Sequence, residues 1–144
     1  MNDSQSCVDA CNKLLRGEIS AIETYSQAIE KLDSPADKAT LQQISEDHHK
    51  SAATLRNHVS EMGAVPDSES GAWGTFAQAV EGTAALFGQS PAVAALIQGE
   101  EHGIREYEEA LNDPEVMSEI KVVFRDTLIP RLQKHVAVLE ALPV

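Results

Sequence analysis

One helical segment occurs twice in this chain, and each copy places a glutamate where its apolar stripe should be unbroken. The run from Leu14 through Gly17-Glu18, Ile22, Tyr25 and Ala28 to Ile29 returns as Leu96 through Gly99-Glu100, Ile104, Tyr107 and Ala110 to Leu111. The shift is 82 residues throughout (100 − 18 and 107 − 25). Two copies of one helix in 144 residues predict a duplicated helical hairpin.

Local signals set the helix boundaries. Ser34-Pro35, Ser90-Pro91 and Asp113-Pro114 each put a capping side chain before a proline, the expected opening of a helix. Ser4 is the cap expected for the first helix, and Gly63 after Met62 reads as a C-terminal stop. The predicted helices are 5–32, 35–62, 91–111 and 114–142. Short turns make each pair antiparallel. Residues 63–90 are then a long crossover, on which Trp73, Phe76, Val80 and Phe87 share one helical face. A short amphipathic helix over the outside of the bundle is expected there, with a homodimer contact through Trp73, Phe76 and Phe87 as the alternative. No segment alternates like a strand.

At 100° per residue each helix shows a stripe. The first runs Cys11, Leu14, Glu18, Ile22, Tyr25, Ile29, Leu32. The second runs Leu41, Ile44, His48, Ala52, Leu55, Val59, Met62. The third runs Val93, Ile97, Glu100, Ile104, Tyr107, Leu111. The fourth runs Met117, Ile120, Phe124, Leu128, Leu132, His135, Leu139, Leu142. Four such stripes around one core predict an all-α four-helix bundle forming a single domain over 1–144. A pseudo-two-fold axis should exchange helix one with helix three.

One ionisable residue interrupts each stripe: Glu18, His48, Glu100 and His135. A lone carboxylate in an apolar core costs several kcal/mol unless paired, protonated or metal-bound. Imidazole and carboxylate together suit iron, manganese or zinc. Di-iron bundles carry a Glu on each of two helices and Glu-x-x-His on each of the other two.

Glu18 with Tyr25 seven residues on, Glu100 with Tyr107 at the same spacing, and the long crossover resemble the ferritin-like superfamily. More narrowly, the Gly-Glu…Tyr helix and the Leu55, Val59, Met62, Gly63 ending resemble a bacterial ferritin-like family catalogued as a domain of unknown function. The resemblance implies a fold and a metal site, and supplies no established activity. Its Glu-x-x-His pairs fall here on Ser45 with His48 and on Leu132 with His135, so both glutamates are lost. A literal Glu46-Asp47-His48-His49 exists, and Glu46 with His49 is the alternative helix-two pair. Rotation puts Glu46 nearly opposite the stripe and His49 about 100° off it, which reads as a solvated surface.

Depth separates the candidates further. Glu18 and His48 lie equally far from their turn. Glu100 precedes the second turn by about 12 residues and His135 follows it by about 22, a mismatch of roughly 15 Å along the bundle. His135 is therefore expected near the open end. A metal-free core is expected to bond Glu18 to His48 or Tyr107, and Glu100 to Tyr25.

Other features exclude more than they assign. The 11 basic against 23 acidic residues give a formal charge of −12, which disfavours nucleic acid and anionic lipid. No apolar run reaches the roughly 18 residues of a membrane span, and no leader is expected, so the protein reads as soluble and cytoplasmic. Cys7 and Cys11, four apart on the inward face, read as small buried hydrophobes. His58 and His102 read as surface residues. The function expected is that of a ferritin-like bundle with a degenerate di-metal site, non-catalytic and stress-related or partner-binding. The alternative is an iron- or manganese-binding protein with weak ferroxidase or storage activity. In that case Glu18, His48, Glu100 and His135 are the ligands and Fe, Mn or Zn the ion.

Overall fold

The computed structural model describes residues 3–69 and 91–142, and every regular element among them is helical. Helix α1 spans Asp3–Lys31, α2 Pro35–Glu61 and α3 Pro91–Leu111. The fourth bundle helix is composite: α4 at Ser118–Val123, a π-helical turn at Phe124–Leu128, and α5 at Ile129–Glu140. Helix α1 packs on both α2 and α3, and α3 packs on α5. The Trp73, Phe76, Val80 and Phe87 face, and with it the expected crossover helix and dimer contact, lies outside the described residues. None of the described helices is long and apolar enough to cross a membrane.

The first hairpin follows its local signals. Ser34 Oγ accepts the Asp37 amide at 3.3 Å, satisfying an N-terminal donor that no helical carbonyl reaches. At the far end of α2, Gly63 sits at φ 81°. Its N–H donates to Ser60 O at 3.0 Å, and the Ala64 N–H to Val59 O at 3.2 Å. Both bonds of a Schellman cap are thus made around a glycine in the left-handed region. Asn12 Oδ1 accepts the Asp67 amide at 2.9 Å and Arg16 pairs with the Asp67 carboxylate, which ties the start of the crossover to α1.

The second hairpin departs from expectation. Asp113-Pro114 does not open a helix: Asp113 Oδ1 accepts the Glu115 amide at 2.9 Å in a tight local turn. Residues 112–117 form the connection, and the helix begins at Ser118 instead of 114. Helix α1 likewise starts at Asp3, so Ser4 lies inside the helix instead of capping it.

The π turn has a cause in the stripe and in a proline. Ile120, Phe124, Leu128 and Leu132 recur every four residues, and on a pure α-helix this drifts about 40° per step. One residue taken up by a wider turn cancels most of that drift and returns Leu132, His135 and Leu139 to the core face. All three are buried. Pro130, just beyond, has no N–H and crowds the carbonyl one turn back, which further disfavours regular helix there.

The core divides along the bundle axis. One apolar cluster joins Cys7, Cys11, Leu14, Leu55, Val59, Phe124 and Leu128; the other joins Leu32, Leu41, Ile44, Val93, Leu96 and Leu139. Between them lies a polar layer.

Candidate metal centre

All four stripe interruptions meet in that layer. Glu18, His48, Glu100 and His135 are each 2–4 % exposed, and each comes from a different bundle helix. His48 Nδ1 lies 2.6 Å from Glu18 Oε1, and its Nε2 lies 2.7 Å from Glu100 Oε2. His135 Nδ1 lies 3.1 Å from Glu100 Oε1, and the two imidazole centroids are 4.9 Å apart. The expected 15 Å mismatch of His135 is therefore corrected. The later start of α4 and the π turn together shorten the path from the second turn to His135.

The tyrosines complete the layer by crossing between α1 and α3. Tyr25 of α1 donates to Glu100 Oε2 of α3 at 2.5 Å, and Tyr107 of α3 donates to Glu18 Oε2 of α1 at 2.6 Å. Both carboxylates are thus held by a phenol and by imidazole.

Asp47 also belongs to the site, and the stripe pattern did not reveal it. Its Oδ2 lies 2.9 Å from His135 Nε2. It sits about 100° from His48 on α2 and reaches across to the composite helix. Its sequence signal is the literal Glu46-Asp47-His48-His49 run, which places it directly before His48. Glu46 and His49, the alternative pair, are both exposed and take no part. His58 and His102 also stay outside, beside Glu61 and Glu106 respectively at 3.7 Å.

Electrostatics fix the protonation of the layer. Burial alone would push the His48 imidazole down, and the carboxylates of Glu100 and then Glu18 outweigh it, holding the pKa at about 10. Burial would push the Glu100 carboxyl up, but His48 and His135 outweigh it and set it at about 2. Burial and then the facing Glu100 raise the Tyr25 phenol well above its usual range, and burial and then Glu18 do the same for Tyr107. Both therefore remain neutral donors.

The donor set fits a transition-metal ion. Ligand atoms of His48, Glu100 and His135 all lie within 4.8 Å of one another. Donors about 2.1 Å from a shared ion sit roughly 3–3.5 Å apart, so modest contraction closes the set. Two imidazoles and a carboxylate suit ferrous iron, manganese and zinc alike. Ser45 and Leu132 occupy the positions three residues before His48 and His135.

A helical bundle with carboxylates and imidazoles converging at mid-depth defines the ferritin-like class, and the fold of this protein is ferritin-like. The chain belongs to the family described as Domain of unknown function (DUF2383), whose model matches residues 6–113. Among solved structures it is similar to one described as "ferritin like, diiron-carboxylate proteins from Bacillus anthracis str. Ames". The TM-score is 0.74 at 19 % identity, covering 97 % of this chain and 96 % of that one. That likeness establishes the fold alone. No curated protein matches the chain.

Proposed function

We propose that this protein is a non-catalytic ferritin-like metal-binding bundle whose core takes a single divalent transition-metal ion. His48 Nε2, His135 Nδ1 and the Glu100 carboxylate hold it. The observation that carries this reading is the way both imidazoles are presented. Each turns one nitrogen toward Glu100 and has its other nitrogen fixed by a separate carboxylate, Glu18 for His48 and Asp47 for His135. Carboxylate-backed histidine is the usual support of a metal-binding imidazole, because it fixes the ring and strengthens the free nitrogen as a ligand. Glu18 thus orients His48, while Tyr25 and Tyr107 hold the two glutamates. The bound ion would supply Lewis acidity and positive charge to a layer rich in carboxylates. The diiron-carboxylate description of the structurally similar Bacillus anthracis protein agrees with a metal-binding reading. Apolar Leu132 and short Ser45 argue against a second ion and against ferroxidase turnover.

A purely structural polar layer is the second reading, favoured by the closure of the network. Among the described residues the only buried side-chain polar atom without a partner is Glu115 Oε2, outside the layer.

Metal content separates the two. Protein purified without chelator should carry iron, manganese or zinc near one per chain. Asp47→Asn and Glu18→Gln should each weaken binding roughly 10–100-fold, the usual effect of removing such a support. His48→Ala should abolish it. A wild type that is metal-free and takes up none of these ions when they are added in excess sinks the metal reading and leaves the structural one.

A further inference from the structure

We propose that Cys7 and Cys11 are the paired ligands of a site for one cuprous ion, at the end of the bundle where α1 begins and α2 ends. Both side chains are fully buried and both thiols are free. Every cysteine and methionine sulfur of the chain other than that of Met1 belongs to this end. Cys7 and Cys11 sit in one apolar cluster, and half-buried Met62 and Met117 pack against it from the end of α2 and the start of α4. The other apolar cluster contains no sulfur.

Spacing favours a bridging ion over a disulfide. Four residues apart on α1, the two side chains stand one above the other, with Cβ atoms about 5–6 Å apart. A disulfide needs them within about 4.5 Å. Two metal–sulfur bonds of about 2.3 Å in line span about 4.6 Å between sulfurs, which suits that spacing. The thiols already face each other, since Cys11 donates a hydrogen bond to Cys7.

Donor chemistry selects the ion. Among the described residues, the His, Cys, Asp and Glu groups close enough to share an ion with three or more ligands include neither cysteine. Structural zinc takes four such ligands, and iron–sulfur clusters take more thiolates than this pair supplies. Two thiolates with thioethers packed beside them suit a soft ion that accepts two-coordination, and Cu(I) is that ion. On binding, each S–H bond breaks as an S–Cu bond forms. Two protons leave, copper stays Cu(I), and the neutral thiol pair becomes a complex with one net negative charge. Burial and then Cys7 keep the Cys11 thiol protonated up to about pH 12 without an ion, so uptake strengthens as pH rises.

Cys11 lies seven residues from Glu18, about 10 Å along α1, and the pair shares no residue with the polar layer, so this site is independent of the metal centre. Full-length protein, stripped of metal and kept reduced without oxygen, is titrated with Cu(I) against a chromophoric Cu(I) chelator. Wild type should take one ion per chain, with an ultraviolet thiolate-to-copper charge-transfer band and two protons released. Cys7→Ala and Cys11→Ala should each abolish that uptake, and His48→Ala should retain it. X-ray absorption on the wild-type complex should show sulfur as the nearest neighbours of copper, which decides the question even if neither alanine variant folds. Three results overturn the proposal: copper left with the chelator by wild type, undiminished uptake in a folded cysteine variant, or nitrogen or oxygen in place of sulfur around the ion.

Discussion

Glu100→Gln tests how much of the fold depends on the polar layer. The Glu100 carboxylate accepts from Tyr25 at 2.5 Å and faces His48 Nε2 at 2.7 Å and His135 Nδ1 at 3.1 Å. An amide keeps the shape, loses the charge and turns an N–H₂ donor toward groups that themselves donate. The rise of His48 from 6.5 to about 10 corresponds to about 5 kcal/mol favouring imidazolium. Glu100 is the larger of its two carboxylate contributors, so about 3 kcal/mol of that should go. One unmatched buried hydrogen bond adds about 1 kcal/mol. The resulting loss of about 4 kcal/mol matches the 3–5 kcal/mol typical of breaking a buried ion pair. Urea titration with chelator at pH 7, at a slope near 2 kcal/mol/M, should show the midpoint falling by about 2 M.

The pH dependence supplies a second readout. With chelator present, folded wild type keeps the His48 proton up to about pH 10, whereas the unfolded chain releases it near 6.5. The stabilisation is complete below 6.5 and declines as pH rises toward 10. For Glu100 the folded value of about 2 lies below the ordinary 4.5, so stability declines as pH falls from 4.5 to 2. Glu100→Gln should remove the acidic slope contributed by this group and flatten the alkaline one. A variant within about 1 kcal/mol of wild type, with both slopes intact, would refute the reasoning.

Three further outcomes are expected. Burial and then the neighbouring Cys7 push the Cys11 thiol up to about 12, so an aromatic disulfide reagent at pH 8 should titrate no thiol until denaturant is added. Gly63→Ala should cost about 1 kcal/mol in thermal or urea unfolding, because φ 81° strains any L side chain even though a Cβ there touches nothing. Ser45→Glu with Leu132→Glu should raise the metal bound per chain, measured by elemental analysis, by restoring a carboxylate three residues before each histidine.

The polar layer was legible wherever a stripe of period 3.6 ran undisturbed. Glu18, His48 and Glu100 stood out because an ionisable residue in an apolar row demands a partner, and their seven-residue partners Tyr25 and Tyr107 stood out with them. His135 appeared in its stripe but at the wrong depth. The 15 Å offset holds only for a helix that starts at Asp113-Pro114 and runs unbroken through Pro130. Pro130 together with the four-residue spacing of Ile120, Phe124, Leu128 and Leu132 was the available sign that it does not. Asp47 was hidden for a different reason. It acts across the bundle onto another helix, and the rotation of its own helix carries no information about that reach.

The crossed tyrosine–glutamate bonds carry a consequence for any half of this molecule. Glu18 and Tyr25 share a helix but stand seven residues apart, about 10 Å along its axis. The phenol instead serves Glu100, and Glu18 is served by Tyr107. A hairpin cut free at the crossover would therefore expose one carboxylate and one phenol, each lacking the counterpart that only the other hairpin provides. Such a fragment is self-complementary: two copies facing each other could exchange the same pair of bonds by rotation symmetry. In the intact chain the two hairpins are joined covalently, so each supplies the other's missing partner within one molecule.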